Sequence, residues 1–93
     1  MENYVNEKLV RLEEILGGKY PELLDLYTLL VLVKGVGVSL KDVHDAWAVW
    51  KNRAIRNGEI SEHKSLVIFE ELTKEIQDLD YKYAVAIQMA AIS

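Results

Sequence analysis

Pro21-Glu22-Leu23-Leu24-Asp25-Leu26-Tyr27-Thr28-Leu29-Leu30-Val31-Leu32-Val33 is the stretch whose conformation decides the fold. Its apolar residues run almost unbroken, so a strand and a buried helix both have to be weighed. The β-branched Val31 and Val33 suit a strand. Against a sheet stand the proline, whose missing N–H costs nothing in a helix's first turn, the helix-like length, and the lack of any second segment with period-two alternation to pair with. The segment is expected to be a helix. Being apolar nearly all round, it is expected to form the buried centre of the molecule.

Toward the N-terminus, Val5, Leu9, Leu12 and Leu16 step by four, three and four, which aligns them on one helix face, and Gly17-Gly18 supplies a stop. Toward the C-terminus, Gly35 and Gly37 break the chain, and Ser39 with Asp42 three residues on has the pattern of a capping box. A third helix is expected from Leu40 to Asn57-Gly58, with Val43, Trp47, Trp50 and Ala54 inward, helped by Leu40 and Ala46. Residues 59–65 are polar and loop-like, and the apolar residues 66–69 could lie extended across the helices. After Thr73, the positions Leu72, Ile76, Leu79, Tyr83, Ala86 and Ala90 make one stripe, predicting a single C-terminal helix with a kink near Asp80. The expected architecture is all-α: one compact four-helix domain over residues 1–93, orthogonal or bundle-like.

Composition narrows the function. Residues are 51% hydrophobic and 28% charged, ordinary for a globular fold. Cysteine is absent, which removes disulfides, thiolate metal sites and cysteine nucleophiles together. Residues 1–8 lack the apolar core of a secretory leader, and no apolar run approaches the roughly 20 residues of a membrane-spanning helix, so a cytoplasmic setting is expected. The formal net charge is −4, unevenly spread: about −3 over residues 1–33, +2 over 34–64 and −3 over 65–93.

The most distinctive pattern is His44-Asp45-Ala46-Trp47-Ala48-Val49-Trp50. His44 and Trp47 are three apart and share a face, whereas Asp45 points elsewhere, so His44 and Asp45 form no helix-face dyad. The tryptophans read first as core anchors and His44 as a residue bonding a loop, with a binding surface on that face as the other reading. His63, the second histidine, is expected to close its loop onto the body, against Trp47 or Trp50. Two histidines without helical pairing, serines in caps and loops, and no Gly-rich phosphate cradle give no basis for a metal site, a cofactor or an enzyme.

Two kinds of macromolecular partner are open. Val5, Leu9, Leu12 and Leu16 match a two-heptad seam flanked by charges, so this face either packs within the chain or takes a partner protein or a second copy, as a homodimer would. Helix two, the glycine turn and helix three superficially resemble a helix-turn-helix, which makes a DNA-binding regulator the alternative. Charge disfavours nucleic acid: the leading end of helix three carries Asp42 and Asp45 beside Lys41, while the bases Lys51, Arg53 and Arg56 gather at the other end.

The residues Leu26-Tyr27-Thr28-Leu29-Leu30, Lys34-Gly35, the segment 38–50 and the segment 63–83 resemble a family of small proteins of unknown function encoded by actinobacteria and their bacteriophages. The specific part is His44-Asp45-Ala46-Trp47, then His63-Lys64-Ser65-Leu66 and Phe69-Glu70-Glu71-Leu72. The same His, Trp, His, aromatic, Leu and Asp80 order carries a weaker likeness to the ryanodine-receptor repeat domain. This chain departs from the family pattern at Lys64 and Ile68, where proline is favoured, and in a longer connection over 51–62. The resemblance implies no catalytic residues and a phage or host-regulatory setting. A helical protein-interaction module, host-modulating if phage-encoded, is therefore the leading expectation. The ryanodine-repeat likeness adds a third, a small-molecule pocket for a ligand such as a nucleotide lined by His44, Trp47, Trp50 and His63.

Overall fold

The computed structural model describes residues 3–18 and 21–93, and it is all-α. Helix α1 spans Tyr4–Leu16, α2 Pro21–Val33, α3 Leu40–Arg56, α4 Lys74–Asp78 and α5 Tyr81–Ala91, with 3-10 turns at Gly35–Gly37 and Phe69–Glu71. No strand occurs among the described residues.

The helix ends follow from local chemistry. Asn3 Oδ1 accepts from the Asn6 N–H at 2.8 Å to open α1, and Gly17, at φ +85°, closes it. Ser39 and Asp42 complete the expected capping box: the Asp42 N–H donates to Ser39 Oγ at 3.1 Å and the Ser39 N–H to Asp42 Oδ2 at 2.9 Å. Asn57 and Gly58, the latter at φ +77°, end α3. Thr73 Oγ1 caps α4 through the Ile76 N–H.

Helix α2 is central, packing on α1, α3 and α5, but it is not buried all round. Leu23, Leu24, Tyr27, Thr28 and Val31 face the core, whereas Leu29 and Val33 stand 53% and 62% exposed. The apolar run overstates its burial because a helix with three neighbours still presents one face to water. The α1 stripe joins this core: Leu12 is fully buried and Leu9 and Leu16 pack against it. Val43 and Ile87 are likewise sealed, and Ala84, Ala86 and Ala90 let α5 approach closely.

The single C-terminal helix expected from the sequence is two helices. Around Leu79 and Asp80 the ladder tightens to i→i−3 bonds, with the Leu79 N–H on Ile76 O and the Asp80 N–H on Gln77 O. Leu79 turns outward, 65% exposed, and so leaves the stripe. Both pieces pack on α3, while α5 alone also reaches α1, α2 and the Gly35–Gly37 turn.

Lys8 ties the chain's ends together. Its Nζ donates to the Ala90, Ala91 and Ser93 carbonyls at 3.1, 3.2 and 2.9 Å, placing a cation at the C-terminal end of α5.

Candidate functional site

An open cleft of about 990 Å³ lies between the end of α1, the first half of α2, the middle of α3, the 59–68 loop, and the junction of α4 with α5. Helical spacing builds its α3 wall. His44, Trp47 and Lys51 follow at three and four residues on one face, with Trp50 beside them.

His44 is 3% exposed, and its Nε2 donates to the Val67 carbonyl at 2.7 Å, so the ring proton resides on Nε2. This bond fastens the loop to α3. The ring also stacks on Trp47, centroids 5.6 Å apart at 26°, and lies 6.1 Å from Phe69. Trp47 in turn meets His63 edge-on, at 5.1 Å and 77°. His63 Nδ1 accepts from the Ser65 N–H at 3.1 Å, which holds the loop's turn. Across the cleft, Tyr27 and Tyr83 approach to 5.5 Å.

The charges are sparse and specifically placed. Lys51 Nζ lies 4.9 Å over the Trp50 ring and 6.0 Å from that of Trp47, and Lys82 Nζ lies 5.0 Å over Tyr83. Asp80 lines the same cleft, where burial raises its carboxyl above the ordinary range, partly opposed by His44. Burial, then Asp80, then Tyr83 push the Tyr27 hydroxyl up, which keeps it protonated. Among the described residues no three His, Cys, Asp or Glu side chains cluster as a metal ion requires.

The structure thus places His44, Trp47, Trp50 and His63 in one cleft, with His44, Trp47 and His63 in ring contact. It does not keep the proposed basic patch together. Lys51 turns into the cleft, whereas Arg53 and Arg56 stay exposed, because two residues along a helix is a half-turn and more. Nor does α1 offer its seam: of Val5, Leu9, Leu12 and Leu16, only Val5 is exposed, at 38%, and the rest are spent on the core. At the leading end of α3 the acids are engaged locally, Asp42 in the cap and near Lys34 at 3.8 Å, Asp45 with Lys41 at 3.1 Å. Tyr27, Tyr83, Asp80 and Lys82 were not legible as cleft residues. The tyrosines stood in inward stripes that read as core, and the only signal was a phenol hydroxyl in positions otherwise filled by aliphatics.

Cleft and fold together define a small all-α domain with an aromatic, lysine-edged recess. Its sequence matches the model of a domain of unknown function, DUF7701, over residues 3–92, and the chain belongs to that family. Comparison with curated proteins gives no match, and neither does comparison with solved structures. The family match carries neither the actinobacterial or phage setting nor the ryanodine-repeat likeness. No helix among the described residues is long and apolar enough to cross a membrane.

Proposed function

We propose that this domain is a non-enzymatic protein-interaction module that seats a segment of a partner protein in the aromatic cleft, and that it serves as a phage-encoded accessory or host-modulating protein. The observation that carries the reading is the convergence of Tyr27, His44, Trp47, Trp50, His63 and Tyr83 on one open recess. Binding surfaces draw most of their energy from a few rigid aromatic anchors, and such a recess is costly to leave in water. The cleft is open and is bounded by five parts of the chain, which suits a chain segment better than a compact ligand enclosed on all sides.

A small molecule such as a nucleotide in the same cleft is the competing occupant. Nucleic-acid binding through α3 has less support, since the bases expected to meet phosphate are split between the cleft and the helix end. The test is affinity capture of a partner from host lysate with the wild-type chain, Trp50→Ala and Arg53→Glu/Arg56→Glu. Capture by the wild type and the arginine variant, lost with Trp50→Ala, is the expected pattern. Equal capture by Trp50→Ala would overturn the reading, as would a wild-type chain that retains no protein.

A further inference from the structure

Three of the described lysines, Lys34, Lys41 and Lys74, lie against carboxylates, and Lys8 is spent on the carbonyls of α5. Lys51 and Lys82 are arranged differently. Both line the cleft, neither has a carboxylate within ion-pair distance among the described residues, and each is held over an aromatic ring instead. A ring face orients an ammonium group without cancelling its charge. The protein carries a net −4, yet among the described residues the lining of this aromatic recess includes two ring-positioned cations without an ion-pair partner.

From this we infer that the segment accepted by the cleft is acidic, with an aromatic or leucine-like anchor flanked by carboxylates that pair with Lys51 and Lys82. The inference rests on the cleft being the binding site. The anchor packs against Trp47 and Tyr83, both only partly buried, and the flanking carboxylates pair with the ammonium groups of Lys51 and Lys82. Asp80 lies on the His44 side of the recess and disfavours a carboxylate there, which sends the negative groups to the lysines. A basic segment would bring a third cation to two fixed ones and face repulsion at the entrance.

The test is selection of a random peptide library on the immobilised full chain, with binding of each enriched peptide followed through tryptophan fluorescence. The readout is specific, since the chain has two tryptophans and both line the cleft. Enriched peptides are expected to carry acids around an aromatic or leucine residue, to perturb the tryptophan emission, and to weaken as salt rises. Lys51→Gln/Lys82→Gln, which keeps long side chains at both positions, is expected to weaken them on the order of tenfold, while Arg53→Gln/Arg56→Gln changes binding by less than about twofold. Circular dichroism of each variant separates loss of binding from loss of fold. Neutral or basic peptides that still move the emission would overturn the charge inference and leave the cleft as the site. A library yielding no peptide that moves the emission would overturn both.

Discussion

Replacing His44 with phenylalanine isolates one hydrogen bond on which the cleft depends. The phenyl ring keeps the stack on Trp47 and Phe69 but removes the donor that meets Val67 O at 2.7 Å. A buried carbonyl stripped of its donor costs about 1–3 kcal/mol. Val67 lies near the surface, 38% exposed, so water can reach its carbonyl and the cost should fall at the lower end, about 1 kcal/mol. For a domain of this size that corresponds to a melting temperature lowered by about 4–8 °C. His44→Ala removes the ring as well and opens a void among Trp47, Phe69 and the core, which raises the loss to about 3 kcal/mol. His44→Gln retains an amide donor and should recover part of the difference from phenylalanine. Calorimetry gives the stability, and amide hydrogen exchange over residues 63–72 shows whether the loop has come loose from α3. If His44→Phe matches the wild type in both melting temperature and loop protection, the bond does not hold the cleft wall and the reasoning fails.

Other outcomes follow from the packing and the titrating groups. Leu12→Ala, at a fully buried position, should cost about 2–5 kcal/mol in urea unfolding, whereas a partner-facing leucine would cost little in the isolated chain. Ser39→Ala removes half of the capping box of α3 and should cost about 1 kcal/mol, read by the same unfolding curves. Asp80 has a folded-state pKa raised above its unfolded value of 3.8, so the native state binds the proton more tightly. Its penalty is absent below the unfolded value and grows as pH rises from there through the folded value. Asp80→Asn should therefore stabilise the chain at neutral pH, with the advantage shrinking as pH falls through the raised folded value and gone below the unfolded value of 3.8; an advantage that grew in acid would contradict the assignment.

Much of the fold was legible because it is written in local signals. Gly17, Ser39 with Asp42, Gly58 and Thr73 each fix a helix end by backbone or capping chemistry that needs no knowledge of distant residues. The break at Leu79 and Asp80 was visible only as a kink, since the stripe continues across it while the packing of α5 on α1 and α2, which α4 does not share, is tertiary. The same limit governed the site. His44, Trp47 and Trp50 stood out by helical spacing, but Tyr27, Tyr83 and Lys82 reach the cleft through tertiary packing, and a tyrosine in an inward stripe has the same pattern whether it fills a core or lines a recess. The seam on α1 was ambiguous for a related reason: two heptads fit a partner helix or a neighbour in the chain equally, and Leu12 resolves it by being sealed inside.

The central claim concerns the cleft, and the indole N–H resonances of Trp47 and Trp50 report on it atom by atom. In a nitrogen–proton correlation titration with the captured partner segment, both resonances are predicted to shift in step with saturation while the amides of Arg53 and Arg56 stay in place. Saturable binding that leaves both indole signals unmoved would contradict the account.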